Sequence, residues 1–343
     1  MDEGKEKPEK RRKIAERRFD LNYVTFPTTR PEKRLRVTVR PRDPLYYIYT
    51  SGTTGVSKAA KFSHLRFIGC ALTWTGPTGL TGADRYYVPL PLFHGNGGCV
   101  AVAPCYFVGA TIVLRQKFSA SAFWDDVKKS GCTAAIYIGE FWRFLQLISF
   151  KMEDNSHLGH TLRVVVGNGL RPEVWDAVTQ TFAIPLVVEH YGSTEMPGDA
   201  ILNCYNKFGS CGYVPPSVWK TKEAKIIRFD VEVDTIVRNE RGLCIECPPN
   251  EPGEIIFKLP EGKYDGYVGE EATRGKLYQD VFEKGDTWWS SGDLLKVDEE
   301  GFFYFVDRIG DTYRFKGENV ATTEVSQVLH GFHSICEANG WCL

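Results

Sequence analysis

The stretch YIYTSGTTGVSKAAKFSH, Tyr47 to His64, joins an apolar run to a burst of Thr, Ser and Gly and then a lone Lys. Small hydroxylated residues with little Cβ bulk let backbone N–H groups and side-chain oxygens wrap an anion. Lys58 adds a compact cation at the end of the turn. A Walker A loop needs Gly-Lys-Ser/Thr in its final places, and Ser57-Lys58-Ala59 stand there instead, which excludes that motif. By itself such a turn is equally a plain connecting loop, so its meaning depends on what surrounds it.

On both sides of it, short apolar runs alternate with helical stretches. LYYIYT precedes it, and AKFSHLRFIGCALTW follows as a helix. RYYVPL, ATIVLRQ, TAAIYI, LRVVVG and PLVVEHYG then read as strands, with SASAFWDDVKKS and RPEVWDAVTQTF as helices between them. Strands that are apolar throughout, rather than at every second residue, belong to a mostly parallel sheet covered on both faces. From Lys220 the texture changes. KIIRFDVEVDTIVRN, GLCIEC, GEIIFKL and DLLKVDEEGFFYFVDR are short alternating runs between turn residues, the pattern of an antiparallel or barrel-like β-unit. The expected class is therefore α/β: a mostly parallel sheet flanked by helices, followed by a small antiparallel or barrel-like subdomain. The boundaries expected are a basic arm at 1–43, an α/β unit at 44–219, a β-rich unit at 220–307 and a last segment at 308–343.

Bulk composition agrees with a globular protein: 343 residues, 43% hydrophobic and 25% charged. The net charge of -1 hides a basic leader, KEKPEKRRKIAERR and RPEKRLRVTVRPR, which reads as a solvated arm rather than a contact for anionic lipid or nucleic acid. It has no apolar segment of the kind a cleavable signal peptide carries. The 10 Cys are scattered, which favours free thiols and a cytosol-facing body, and Cys244-Ile-Glu-Cys247 lacks the second pair a zinc site needs. Between Tyr87 and Leu114 no side chain is charged, but Pro89, Pro91 and Pro104 interrupt the run. That pattern predicts a buried helix, a turn and a strand rather than a membrane span.

Four more stretches carry chemistry. VVVGNGLRPEVW is an apolar strand, a Gly-rich turn and a helix; HYGSTE runs from His190 to Glu195; SSGDLL holds Asp293; and VDRIGDTYRFKGENV holds Arg308. Together with YIYTSGTTG, in this order, they resemble the adenylate-forming superfamily of acyl-CoA synthetases, luciferases and peptide-synthetase adenylation domains. YQDVFEKGDTWW and GFFYFVDRIGDTYRFKGENVATTEV are similar more closely to the fatty acid transport protein and very-long-chain acyl-CoA synthetase family, over roughly Pro44 to Asn339.

That resemblance implies a set of roles. Thr50, Ser51, Gly52, Thr53, Thr54 and Gly55, with Lys58, would hold the β- and γ-phosphates of ATP. Ser57 stands where the family usually has Pro, which loosens the turn but removes no donor. Gly167, Asn168 and Gly169 would let a purine approach the backbone, with Tyr191 stacking on it and Gly192 and Ser193 beside it. Thr194 would bind the α-phosphate, and Glu195 would ligate Mg²⁺ as a hard oxygen donor. Asp293 would accept from the ribose hydroxyls, and Arg308 would add a cationic contact. His94, in PLFHGNGG, matches a gate beside the acyl pocket, although a lone His is as readily a packed core residue. The implied reaction takes a long- or very-long-chain fatty acid, Mg·ATP and CoA to acyl-CoA through an acyl-adenylate, linked to fatty acid uptake and to peripheral, cytosol-facing membrane association.

Family members close the site with a C-terminal domain that swings about a hinge, which falls here near Gly310 or Asp311, and that carries a catalytic Lys. The chain stops at Leu343, so that domain and the first half of the large one are expected to be missing. The other expectation is a catalytically inactive binder of nucleotide or lipid that acts by interaction.

Overall fold

The computed structural model describes residues 32–35, 37–50, 58–152, 155–198, 200–220, 223–259, 274–309, 312–315, 318–321, 325 and 328–329. The chain divides into Met1–Arg40 and Pro41–Leu343. In the first unit the described residues carry one 3-10 turn, Lys33–Leu35. Most of the expected basic arm lies outside the described residues, as do Ser51 to Ser57, Gly310 and Asp311.

The second unit opens with a hairpin. Strand β1 (Pro44–Thr50) pairs antiparallel with β2 (Lys58–Ser63), and Thr50 faces Lys58 across it. Here the sequence reading needs correcting: Ala60 to Ser63 belong to β2, and the helix α1 (His64–Thr78) starts only afterwards. Ser63 is its N-cap, accepting from the Arg66 N–H at 3.4 Å, and Gly79 ends it in the left-handed conformation. The hydroxyl at position 63 thus decides where strand gives way to helix.

Beyond α1 come β3 (Arg85–Val88), a π-helical turn (Asn96–Ala101), α2 (Val102–Val108) and β4 (Thr111–Leu114). They are followed by α3 (Phe123–Lys129), β5 (Ala134–Ile138), α4 (Gly139–Met152), β6 (Val164–Asn168), α5 (Pro172–Asp176) and β7 (Leu186–Tyr191). The uncharged run after Tyr87 is therefore helix, turn and strand as expected, although Tyr106 and Phe107 are exposed on α2. No helix among the described residues is long and apolar enough to cross a membrane.

Strands β4, β3, β5, β6 and β7 lie side by side in parallel. Their apolar residues are buried almost without break in β5, β6 and β7, which explains the lack of alternation in the sequence. Phe123, Trp124, Tyr137, Trp142 and Phe182 pack as one aromatic cluster against this sheet.

The sheet then continues without a gap. Antiparallel β8 (Ile201–Asn203) and β9 (Gly212–Tyr213) lead from β7 to β16 (Phe302–Arg308), β15 (Thr287–Val297), β13 (Gly253–Lys258) and β10 (Ala224–Ile227). Short β14 (Leu277–Gln279) also pairs with β15, which makes 12 strands in this sheet, while β11 (Phe229–Asp230) and β12 (Thr235–Ile236) form a separate antiparallel pair. This half has its own core around Ile226, Ile255, Phe257, Trp289, Leu295 and Phe303. Two more strands, at 312–315 and 318–321, pair with each other near the end. Val320 and Ala321 lie in the second of them.

Buried polar groups tie the parallel half together. Asp84, 5% exposed, accepts from Thr133 Oγ1 at 2.7 Å, from Thr81 N at 2.8 Å and from Arg163 Nη2 at 2.8 Å. Burial alone would raise its carboxyl, but the Arg163 and Thr133 bonds outweigh that and hold it well below the usual carboxylate range. Glu189, 2% exposed, sits in β7 and accepts from the Leu170 N–H at 2.9 Å, while its other oxygen is hydrogen-bonded to the Tyr137 hydroxyl. Burial dominates here and pushes Glu189 up to about 8.

The two carboxyls give opposite pH behaviour. Asp84 is depressed, so its stabilisation is present above the unfolded value of about 3.9 and is lost on acidification. Asp84→Asn is expected to lower stability by about 2 kcal/mol at pH 7 in denaturant titrations, and to flatten the acid limb. Glu189 is raised to about 8, so its stabilisation is complete below about 4.3 and is lost as pH rises through about 8. Glu189→Gln keeps the acceptor for Leu170 and is expected to remove a decline of up to about 1.4 kcal/mol per pH unit across that window, read from thermal unfolding at pH 5 to 9.

Candidate functional site

The parallel strands β5, β6 and β7 end together, and the turns that follow them form the floor of the candidate site. Gly167 and Asn168 close β6, and Gly169 follows with φ of 77°, which a side chain disfavours. Across from it, α4 begins at Gly139 so near this turn that a Cβ there would overlap the Gly169 carbonyl oxygen. The two glycines let backbones from neighbouring strands touch. Asn168 Oδ1 accepts from Asn96 Nδ2 at 2.7 Å, which joins the turn to the loop before α2.

Tyr191 ends β7 with its ring almost wholly buried. Its hydroxyl donates to Asp293 Oδ2 at 2.8 Å. Asp293 faces Arg308 across β15 and β16, with Nε 3.7 Å from Oδ1. Burial raises the Asp293 carboxyl, the Tyr191 bond and the charges of Arg308 and Lys276 oppose that rise, and the charge of Glu195 adds to it. Two carboxylates close enough to feel each other, beside two cations, make a place where a divalent cation and anionic oxygens can balance charge. Among the described residues there is no cluster of three or more His, Cys, Asp and Glu placed to hold a metal alone. A cation at Glu195 would therefore need oxygen ligands from its substrate, as magnesium bound to a polyphosphate has.

Gly192, Ser193, Thr194 and Glu195 lead away from β7, with Thr194 and Glu195 half-buried. Gly95 lies against Thr194, since a Cβ at position 95 would come within 3.1 Å of Thr194 Oγ1. His94 itself is exposed, and its ring rests on Phe93 at 4.6 Å between centroids. Its backbone carbonyl accepts from the Gly98 N–H at 2.8 Å, which starts the π-helical turn. Helix α1, which follows the hairpin, reaches the same region through Arg66, whose Nη2 donates to the Met196 carbonyl at 3.2 Å. Thr50 and Lys58 stand opposite each other at the hairpin mouth, and the loop between them lies outside the described residues.

The structure thus brings Tyr191, Asp293 and Arg308 into one hydrogen-bonded and ionic group, and sets Thr194 against the Gly95 loop. The sequence reading missed Glu189 and Arg66, which hold these turns without a motif of their own. It also missed His190, buried at 5% exposure against Trp74, with ring centroids 4.7 Å apart. Neither of its ring nitrogens has a partner among the described residues, and burial lowers its value to about 3, so it is a neutral core residue. The eight described cysteines are free, Cys244 and Cys247 among them.

Comparison with known proteins gives the family. The family model for AMP-binding enzymes matches residues 2–268. The chain is 43% identical over 291 residues to long-chain fatty acid transport protein 1 of Mus musculus, covering 84% of this chain and 44% of that protein. It is 42% identical over 293 residues to long-chain fatty acid transport protein 2 of Rattus norvegicus, covering 83% and 46%. It therefore spans less than half the length of these curated relatives. Among solved structures, O-succinylbenzoate coenzyme A synthetase from Bacillus subtilis, in complex with ATP and magnesium ion, is similar with a TM-score of 0.66 and 25% identity, covering 88% of this chain and 57% of that one. Motifs in order, a mixed sheet whose parallel strands end at a shared cluster of polar residues, and a family match over most of its length show that the chain belongs to the AMP-binding enzyme family.

Proposed function

We propose that this chain acts in the ATP-dependent activation of long- or very-long-chain fatty acids to acyl-CoA through an acyl-adenylate, linked to fatty acid uptake. The observation that carries this reading is the group formed by Tyr191 at the end of β7, Asp293 within β15 and Arg308 at the end of β16, within electrostatic reach of Glu195. Its similarity to long-chain fatty acid transport proteins supports the acyl substrate.

In this reading the purine lies on the Gly167–Asn168–Gly169 turn beside Tyr191, and Asp293 accepts from the ribose hydroxyls. Thr50, Ser51, Gly52, Thr53, Thr54 and Gly55 with Lys58 take the β- and γ-phosphates, and Thr194 takes the α-phosphate. Magnesium held at Glu195 would neutralise phosphate charge and polarise the P–O bonds. A carboxylate oxygen of the fatty acid attacks the α-phosphorus, and the bond to pyrophosphate breaks. The thiol sulfur of CoA then attacks the acyl carbon, loses its proton, and AMP leaves. Lys58 and the loop donors stabilise the charge that builds on the phosphoryl oxygens, and Asp293 and Tyr191 hold the adenosine so that attack is in line. Gly95 and the exposed His94 border the acyl side. A long acyl chain gains about 0.8 kcal/mol per buried CH₂, so apolar surface near His94 governs chain preference. In this reading the acyl substrate, which partitions into lipid, is met by the chain at the cytosolic face of a membrane.

Isothermal titration of the chain with ATP and Mg²⁺ is expected to give saturable heat, and Glu195→Gln to weaken binding about tenfold, by loss of one charged ligand. Long-chain fatty acid should promote exchange of labelled pyrophosphate into ATP. Absence of any heat with ATP and Mg²⁺ would overturn the reading, and binding without exchange would favour a nucleotide binder without catalysis.

A further inference from the structure

Asp293 occupies an irregular stretch of β15. Glu254 of β13 faces Leu294, and Ile256 faces Ser290, so three residues of β15, Ser291 to Asp293, stand opposite the single residue Ile255. Such a bulge leaves a backbone N–H without its ladder partner. The orphan is the N–H of Gly292, whose φ is 78°. It donates to Glu254 Oε1 at 3.0 Å. The same oxygen accepts from Ser290 Oγ at 2.6 Å, and Oε2 accepts from the Tyr278 hydroxyl at 2.8 Å. Glu254 is 0% exposed, so its carboxyl is committed wholly to these three donors. From the other side Lys276 Nζ donates to the Ser291 carbonyl at 3.1 Å, and Ile309 N–H donates to the Gly292 carbonyl at 2.9 Å. Within the turn, Asp293 N–H donates to Ser291 Oγ at 3.0 Å. The Ser291 carbonyl and both backbone groups of Gly292 are thus held from outside the bulge, and the outcome is the aim of one side chain, Asp293, at the Tyr191 hydroxyl.

We propose that Glu254, assisted by Lys276, is a positioning residue for ribose recognition: it holds the Ser291–Gly292–Asp293 bulge so that the Asp293 carboxylate meets the 2′- and 3′-hydroxyls of the bound nucleotide. This rests on the reading of Asp293 as the ribose ligand given above. Glu254 touches no substrate and acts only through the bulge. Replacing it by Gln preserves an acceptor for Gly292 and places an amide toward the Tyr278 oxygen, whereas Ala leaves the Gly292 N–H buried and unpaired. Lys276 is half-buried, and replacing it removes one external tie without opening the core.

The test compares affinities for Mg·ATP and Mg·2′-deoxy-ATP in the wild type, Asp293→Asn, Glu254→Gln, Glu254→Ala and Lys276→Met, each checked by circular dichroism for folding. A bond from a sugar hydroxyl to a carboxylate makes wild-type discrimination of about tenfold or more the expected result. Asp293→Asn and Glu254→Ala should each reduce the ratio below about threefold, and Glu254→Gln should retain it. Loss of overall stability alone would weaken both nucleotides alike and leave the ratio unmoved. If Asp293→Asn loses discrimination while Glu254→Ala keeps it, the positioning role is wrong and the ribose reading stands. If the wild type itself does not discriminate, the ribose reading fails and this inference falls with it. Should Glu254→Ala not fold, Lys276→Met decides: a drop in the ratio of about threefold, with Glu254→Gln unchanged, supports the role, and an unchanged ratio overturns it.

Discussion

A backbone N–H that is buried and has left its ladder must find another acceptor, and this requirement shapes the candidate site twice. At the end of β6 the chain turns away and strands the Leu170 N–H; at the bulge in β15 it strands that of Gly292. In each case a fully buried glutamate from a neighbouring strand, Glu189 or Glu254, takes the orphan and uses its second oxygen on a tyrosine hydroxyl. Turns carrying the candidate site's side chains are thereby fastened to the interior rather than left to solvent. The arrangement puts two carboxyls where ionisation is costly, and both are raised by burial.

The parallel half of the fold was legible because its strands are buried on both faces. TAAIYI, LRVVVG and PLVVEHYG could not alternate, having no wet side to show. The hairpin was less so. KAAKFS carries the small and basic residues of a surface helix, and only pairing with β1 makes it a strand. A single hydroxyl at Ser63 marks the switch, a local cue that the neighbouring apolar pattern overwhelms.

The candidate site was legible as motifs but not as architecture. HYGSTE and SSGDLL announce themselves by composition. Glu189 lies within an apolar run and Glu254 near the start of the GEIIFKL strand, and neither carries a signal that distinguishes a buried carboxyl from an exposed one. Asp84 and Arg163 meet across 79 positions, as do Arg66 and Met196 across 130, and such partnerships exist only once the strands are ordered. What sequence cannot show here is which charged residue the fold has walled in.

One further consequence comes from the unbroken ladder running from β7 through β8, β9 and β16 to β15. Tyr191 and Asp293, although 102 positions apart, are rooted in one continuous plate of backbone hydrogen bonds. A plate of this kind resists shear between its members, so the pair cannot be drawn apart without rupturing the ladder. Opening and closing around a guest must then be accomplished by segments at the rim, while the surface on which these two side chains meet stays a fixed anvil.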